Sequence, residues 1–370
     1  MVDDVSDFLE VGEKHFENHQ QLANHINQKY TSGSIKGEFN IIGAINNLGH
    51  TDGVEDSKQH FMDLLADEFQ MLHSSGDLYR IFTTVDDDPM YSYVWADSDA
   101  PIFLTTANKT DQIPQTIQRF LHTKHGVGRL MLSKREVDGI RKSLSSRFDN
   151  LVVPYFSARR SRDSLIGAQR RPNVDRSIQY RAIDGLATYR EMRYNYGILP
   201  QIMTFKLPGM FKFRVKSDGT FVHQHGTFHQ VWDAFQNQIE RVNAMKECAN
   251  TGGFTANQTS RFREEGFSIS TPWGIQVEKG IDASHIETLP EQLEDDFWEF
   301  SLSEYYVNPE SDIFDAELID DTTRERTTMK TRGNQIRIFP RELTDIDQSI
   351  RLFNFVSDHF ESDCTPVKIV

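Results

Sequence analysis

Residues 211–225, FKFRVKSDGTFVHQH, alternate between apolar and polar side chains on both sides of the pair Asp218-Gly219. A period of two is typical of strands that bury one face, and Asp-Gly is a preferred pair for a two-residue turn. The stretch therefore predicts a β-hairpin. Directly after it, apolar residues at helical spacing predict a long helix over 227–248 that forms a spine of the core. The apolar face of this helix contains Phe228, Val231, Trp232, Phe235, Ile239 and Val242.

Strands and helices also alternate before the hairpin. Strand-like runs cover 78–85, 90–95 and 101–106, and the turns between them are rich in Asp, Ser and Pro. Amphipathic helices are predicted over 56–72 and 133–147. Strands joined by such short turns favour antiparallel pairing. We therefore predict an α+β fold with antiparallel sheets and packed helices.

Three further predictions concern single elements. Residues 150–157 have the composition of a strand, and Pro154 removes a hydrogen-bond donor from it, so we expect an edge strand. A second hairpin is expected around 271–274. The last helix is expected to begin at a capping box formed by Thr344 and Asp347.

The length of the chain predicts more than one domain. It has 370 residues, whereas one domain typically has about 100–200. We expect an N-terminal arm or helical segment over 1–55 and an α+β domain over 56–157. An Arg-rich loop or linker over 158–182 would join this domain to an acidic α+β domain over 183–370.

The composition argues against several classes of protein. The longest mostly apolar run, 39–45, has seven residues, whereas a membrane span needs about 20. The acidic start MVDDVSDFLE lacks the features of a signal peptide. The two cysteines, Cys248 and Cys364, are too few for a disulfide framework or a four-cysteine zinc site. No GxSxG, GxGxxG or phosphate-loop motif is present. We therefore expect a cytoplasmic protein without a cofactor or a membrane contact. The sequence favours a protein that is not an enzyme but leaves this question open.

Charge is distributed unevenly along a chain whose net charge is −15. Residues 119–193 contain 17 Lys and Arg against seven Asp and Glu. The densest part, 158–177, has no regular period and predicts an extended Arg-rich loop. Arginine binds phosphate through two donors at once and stacks on bases, so this loop is a candidate nucleic-acid or anion-binding segment. Its candidate binding residues are Arg159, Arg160, Arg162, Arg170, Arg171, Arg176 and Arg181.

An acidic segment lies further along the chain. Residues 286–323 contain thirteen Asp and Glu and no Lys or Arg. Such a segment forms a solvated face, or it docks against the Arg-rich segment of the same chain or of a neighbouring copy. The sequence leaves these alternatives open.

Three histidines near the hairpin are candidates for a metal site. His223 and His225 have the spacing of one strand face, and His229 begins the next helix. No fourth ligand is evident nearby. The alternative is that these histidines are exposed or hydrogen-bonded side chains.

The charge pattern favours a non-enzymatic protein that binds nucleic acid through the Arg-rich segment. The acidic C-terminal domain would then serve assembly or regulation. An alternative is a self-assembling structural subunit, as in a capsid or shell, in which the basic arm pairs with an acidic face of a neighbour. That alternative would place the protein in a virion. A metal-dependent nuclease is a further alternative. The predicted partners are nucleic acid and further copies of the chain in a homo-oligomer.

Overall fold

The protein is described by a computed structural model that confirms the α+β prediction, with helices packed on antiparallel sheets. The described residues are 7–35, 37–46, 54–97, 99–107, 109–124, 126–160, 167–249, 254–259, 264–278, 280–281, 283–294, 298–341, 346–360 and 364–369.

The helices agree with the periodic segments of the sequence. Helix α6 confirms the predicted spine helix, and α4 begins at the capping box of Ser133 and Glu136. Helix α3 continues a π-helical turn over Pro114–Gln118. The bounds are α1 His19–Thr31, α2 Val54–Glu68, α3 Arg119–Thr123, α4 Lys134–Arg147, α5 Gly185–Tyr196, α6 His229–Ala249, α7 Ala283–Leu293 and α8 Ile346–His359.

Eleven strands form a large sheet that contains the predicted strands before α6. Their bounds are β1 Phe39–Asn46, β2 Gln70–Ser75, β3 Leu78–Val85, β4 Asp88–Trp95, β5 Ile102–Thr105, β6 Val127–Arg129, β7 Val152–Arg160, β8 Arg176–Tyr180, β9 Leu199–Leu207, β10 Phe211–Lys216 and β11 Thr220–Gly226. The order across the sheet is β2-β3-β4-β5-β1-β11-β10-β9-β7-β8, and β6 pairs with the end of β1.

The remaining strands form a separate hairpin and a smaller sheet. The hairpin consists of β12 Phe254–Thr259 and β13 Glu264–Ile269. The smaller sheet contains β14 Trp273–Gln276, β15 Phe300–Asn308, β16 Ile313–Asp320, β17 Arg326–Arg332, β18 Gln335–Pro340 and β19 Thr365–Lys368. Its order is β15-β16-β17-β18-β14-β19.

The hairpin that opened the sequence argument is formed by β10 and β11. Its turn requires glycine for two reasons. Gly219 has a φ of +84°, which L side chains rarely adopt. A Cβ at this position would also lie 2.0 Å from the carbonyl oxygen of Leu130. The predicted Asp218-Gly219 turn therefore fixes both the hairpin and its close approach to the segment after β6.

The two sides of the large sheet are covered differently. On one side, α4 packs on β9, α5 on β7 and α6 on β11. On the other side, α2 and α3 cover the part of the sheet around Ile42 and Phe103, where Phe61 and Phe120 fill a second core. The described helices on this second side do not cover β10, β9, β7 and β8. The candidate site lies on this part of the sheet.

Helix α8 joins the two sheets. It contacts β1 and β6 of the large sheet and also α4 and α6. Every residue of α8 except Asp347 is buried. Two of its polar side chains are bonded within the protein: Asn354 donates to the carbonyl of Met131 at 3.2 Å, and Gln348 accepts from Thr327 at 2.7 Å. The predicted cap residue Thr344 lies outside the described residues.

The prediction that 150–157 forms an edge strand is wrong. β7 lies between β9 and β8. Proline is tolerated there because the register with β9 shifts between Val152 and Tyr155, and β8 begins to pair only at Phe156. Pro154 therefore occupies an irregular end of the strand, where its missing donor leaves no ladder bond unmade.

The prediction of one extended loop over 158–177 is also wrong at both ends. Residues 158–160 complete β7 and 176–177 begin β8, and Arg160 pairs directly with Arg176. Between them, 167–175 contains no helix or strand, and 161–166 lies outside the described residues. At the end of β7, Arg159 and Arg160 point to opposite faces of the sheet. Because both faces carry arginine, the sequence shows no alternation of apolar and polar residues there.

The predicted hairpin around 271–274 is not formed by adjacent strands. β14 pairs with β18 and β19, whereas β13 pairs with β12. A strand with two neighbours from distant parts of the chain cannot be distinguished from a hairpin strand by its local composition.

Strand pairing does not follow the predicted division into domains. The large sheet contains β2 to β5 from the predicted domain 56–157 and β9 to β11 from the predicted domain 183–370. The domain bounds themselves stay a prediction. None of the helices in the described ranges is long and apolar enough to span a membrane.

Candidate nucleic-acid interface

Within the described ranges, no helix covers one side of the large sheet at β8, β7, β9 and β10. Thr204 in β9 lies at the centre of this area, because it pairs with Tyr155 of β7 and with Arg214 of β10. Directly paired residues point to the same side of a sheet. These three side chains therefore share one surface, and so do the positions two residues along each strand.

Along these strands, the side chains of this surface alternate with apolar side chains. The apolar side chains point to the opposite side of the sheet, which is buried. Phe156, Phe205 and Phe213 point to that opposite side and are completely buried. α4 and α5 pack on β9 and β7 there. The charged side chains that point the other way are consequently exposed or half-buried.

The open surface is strongly basic. No Asp or Glu occurs in β7, β8, β9 or β10. The strands are flanked by Asp175, which directly precedes β8, and by Asp218 in the turn after β10, 3.5 Å from the amino group of Lys216. We call the following residues the basic sheet face: Tyr155, Arg159, Arg181, Thr204, Lys206, Lys212, Arg214 and Lys216.

Two lysines of the basic sheet face oppose each other. Lys206 and Lys212 are direct cross-strand partners in β9 and β10. Like charges in this position destabilise a sheet, by up to about 1 kcal/mol. Within the part of the chain that the structure describes, neither lysine has a carboxylate at ion-pair distance. The repulsion between the two lysines therefore lowers the stability of the sheet locally, and a bound polyanion would neutralise it.

An aromatic ring lies at the centre of the basic sheet face. The guanidinium carbons of Arg181 and Arg214 lie 5.6 and 5.8 Å from the ring centroid of Tyr155. Both are within the range of a cation–π interaction. Arg214 is held in place because its Nε donates to the hydroxyl of Thr204 at 3.2 Å. The arrangement presents one planar ring between two planar cations.

A carboxylate borders the face towards β1. Glu38 accepts hydrogen bonds from Lys109 at 2.5 Å and from Gln224 at 2.6 Å. Burial by itself would raise the pKa of Glu38, but the bonds from Lys109 and Gln224 outweigh it and lower the pKa. Glu38 is therefore ionised and already neutralised by Lys109, so it reduces the positive charge of the face very little.

The structure divides the predicted arginines among different environments. Arg159 and Arg181 lie on the basic sheet face, and Arg170 and Arg171 are exposed between β7 and β8. Arg162 lies outside the described residues. Only part of the predicted Arg-rich segment therefore contributes to the open surface.

Arg160 and Arg176 point to the opposite side of the sheet. The Nε of Arg160 donates to the carbonyl of Pro172 at 3.1 Å, and Arg176 lies 4.3 Å from the ring centroid of Tyr196. Burial and the neighbouring Arg176 lower the pKa of Arg160. These contacts hold β8 and the segment before it against α5, which is a structural role.

Sequence inspection missed four of the six basic residues of the face. Lys206 lies in β9, and Lys212, Arg214 and Lys216 lie in β10. A signal for the latter three was present, because every outward position of the strand FKFRVK is basic. Their proximity to Tyr155 had no signal, since it depends on the pairing of β9 with β7.

The histidines of the candidate metal site are separated by the fold. A register shift in the β10–β11 pair breaks the alternation, so His223 is completely buried while His225 is exposed. The Nε2 of His223 lies 3.2 Å from the carbonyl oxygen of Gly226, and its ring packs against Tyr30. Among the described residues, no group of three His, Cys, Asp or Glu is placed to hold a metal ion.

The buried His223 predicts acid sensitivity. Burial lowers its pKa to about 4, although the bond to Gly226 opposes this shift. The unfolded value is about 6.5, so protonation favours the unfolded chain. The free energy of unfolding is therefore unaffected by the protonation of His223 above about pH 6.5. As the pH falls from about 6.5 to about 4, protonation of His223 in the unfolded chain lowers this free energy by up to about 3 kcal/mol. The measurement is urea unfolding at pH 7 and at about pH 4.5.

In the His223→Phe variant, which retains an aromatic ring, the difference in stability between the two pH values should shrink. The buried His359, whose pKa burial lowers to about 3, leaves part of the difference. The exposed His225→Asn variant should behave like the unmodified protein. An unchanged difference in His223→Phe would contradict the assignment.

The acidic segment is folded into α7, β15 and β16. Part of its charge is neutralised inside the smaller sheet, where Glu317 lies 3.7 Å from Arg326 and 3.5 Å from Arg341. Asp315 pairs with Lys330 at 2.5 Å. Its docking to the Arg-rich segment stays a prediction.

Comparisons with known proteins place the basic sheet face inside a matched region. The AF_0896_M family middle domain matches residues 135–218, which include every residue of the face. An uncharacterized protein of Archaeoglobus fulgidus is 23% identical over 353 residues, covering 92% of this chain and 93% of that protein. No solved structure matches the chain. Neither description states a ligand or an activity, so function is argued from the geometry.

Proposed function

We propose that the protein binds nucleic acid through the basic sheet face without catalysing a reaction. Phosphates would be neutralised by Arg159 of β7, by the cations of β9 and β10 and by Arg181. Backbone contacts of this kind are independent of base sequence and weaken steeply as salt increases. The strands themselves supply no carboxylate that could act as an acid or a base.

The observation that carries the proposal is the pairing of Lys206 with Lys212. Folding alone does not favour two opposed lysines without a carboxylate. Beyond the paired lysines, Arg214 and Lys216 extend the positive surface along β10. The surface is therefore long enough to contact more than one phosphate. A chain of regularly spaced phosphates fits such a surface better than a single small anion does.

The Lys206→Gln/Lys212→Gln double variant tests the proposal. Removing two phosphate contacts should weaken binding about tenfold or more near physiological salt. The slope of log K against log salt should become shallower by about 1.4 for single strands or about 1.8 for duplexes. Stability should be unchanged or slightly raised, because the repulsion between the lysines is lost. Fluorescence anisotropy across a salt titration measures the binding, and urea unfolding measures the stability.

A matched control removes the same charge elsewhere. Lys14 and Lys330 are partly exposed lysines in the N-terminal segment and in the smaller sheet. The Lys14→Gln/Lys330→Gln variant should bind like the unmodified protein. Equal affinities and salt slopes in all three proteins would overturn the proposal. If the lysines of the face instead control a large assembly that forms without nucleic acid, as seen by light scattering, the self-assembling subunit would replace it.

A further inference from the structure

The centre of the basic sheet face has the chemistry of a stacking platform. Tyr155 is half-buried and lies among cations. A base has a flat π surface, which stacks on an aromatic ring or on a guanidinium plane with about 1–3 kcal/mol per base. Tyr155, Arg181 and Arg214 together offer both kinds of plane within one area.

The shape of the face separates single strands from duplexes. Bases in a duplex are stacked on each other, and a protein reaches them through a groove with a protruding helix or ribbon. No described helix rises from β7 to β10 on this side, since α2 and α3 lie over the other half of the sheet. An open sheet with an aromatic ring at its centre instead accepts bases that are already unstacked.

Cations that could contact phosphate lie on both sides of the ring. One side has the lysines of β9 and β10, which are Lys206, Lys212 and Lys216. The other side has Arg159 at the end of β7 and Arg181 directly after β8. A strand that crosses the face would keep its backbone on these cations while a base turns towards Tyr155. Arg214 is already positioned by Thr204, so its guanidinium can remain beside the ring when a base arrives.

We infer that the basic sheet face binds single-stranded nucleic acid, with Tyr155 as the platform on which a base stacks between Arg181 and Arg214. This inference rests on the proposed function and adds the substrate class. Stacking does not distinguish the sugar, so single-stranded DNA and RNA share this chemistry. Arms with each sugar show which one the protein prefers.

The test uses the full chain and labelled oligonucleotides of about 12 nucleotides, a length within the range of about 4–16 that one single-strand-binding surface covers. The probes are a single strand, the duplex of the same sequence, and an abasic strand of equal length that retains every phosphate. The unmodified protein should bind the intact strand about tenfold more tightly than the abasic strand. Tyr155→Ala should lose this advantage, so that it binds the intact strand about tenfold more weakly than the unmodified protein, and it should bind the abasic strand as the unmodified protein does.

Tyr155→Phe should retain the preference, because it keeps the ring. Tyr194 on α5 is exposed and lies behind the opposite side of the sheet, so Tyr194→Ala should change nothing. Thermal unfolding of each variant checks that the fold is intact.

Two failures are distinguishable in this experiment. If intact and abasic strands bind equally and Tyr155→Ala has no effect, while Lys206→Gln/Lys212→Gln still weakens binding, the platform is wrong and the proposed function stands. If no probe binds in a salt-dependent way, both fail. Tighter binding of the duplex than of the single strand would also overturn the inference.

Discussion

Replacing Arg351 with alanine is expected to lower the free energy of unfolding by about 3–5 kcal/mol. Arg351 lies in α8 and is 2% exposed. Its Nη2 donates to Asp320, which is completely buried, and its Nε donates to Asp347 at 2.8 Å. The Nη1 donates to the carbonyl of Trp298 at 2.9 Å. The truncation would leave Asp320 as a buried charge without its cation.

The position of this network explains why the expected loss is large. Asp347 also accepts from the backbone N–H of Arg129 in β6 at 3.2 Å. Burial would raise the pKa of Asp347, but Arg351 and Arg129 outweigh it and lower the pKa. Arg351 thus connects β16 of the smaller sheet to α8, and its partner Asp347 connects α8 to β6 of the large sheet.

Urea unfolding at neutral pH measures the effect. Arg324 is 75% exposed and lies 3.9 Å from Asp321, so Arg324→Ala should cost less than about 1 kcal/mol. This control removes an arginine that also faces a carboxylate. Equal losses in the two variants would show that burial of the network does not determine its contribution.

Replacing Asp138 with alanine is expected to cost about 3–5 kcal/mol for a related reason. Asp138 lies in α4 and is 1% exposed. It accepts from the Nε of Arg141 at 2.7 Å, and it pairs with Arg193 of α5. Burial lowers the pKa of Arg141, so this cation depends on its carboxylate. Without Asp138, two cations behind β7 and β9 would face each other.

Thermal and urea unfolding again provide the measurement, and Asp149→Ala provides the control. Asp149 follows the same helix and is exposed, so its replacement should change stability by less than about 0.5 kcal/mol. The Asp138→Asn variant keeps the size and a hydrogen-bond acceptor and should lose less than Asp138→Ala. A loss in Asp138→Ala no larger than in Asp149→Ala would refute the expected role.

Sequence patterns predicted the elements whose signals are local. The hairpin of β10 and β11, the capped helix α4 and the spine helix α6 all follow from residues within one element. A period of two or of 3.6 reports which face of an element is buried, and a turn such as Asp218-Gly219 reports where the chain reverses. The α+β class follows from these signals.

Predictions that depended on distant residues were less successful. The prediction that β7 is an edge strand was wrong because β8 pairs with it. This pairing begins only after Pro154, so the proline does not prevent it. The alternation of His223 and His225 was broken by a register shift that the neighbouring strand imposes. The polar helix α8 gave no indication that it would lie buried between two sheets, because its buried charges depend on partners such as Asp320.

The sequence by itself determined that the chain folds as helices on antiparallel sheets, and that basic residues concentrate in its middle. The tertiary structure alone decided which of those cations act together. Tyr155, Arg181 and Arg214 come from three separate parts of the chain and meet only because β8 pairs with β7 and because β7 and β10 both pair with β9. Among the described residues, α4, α5 and α6 pack on the other side of the sheet, and no helix packs on the side that carries these three residues. Strand register and helix placement are set by packing between distant residues, and this information is not present in any local period of the sequence.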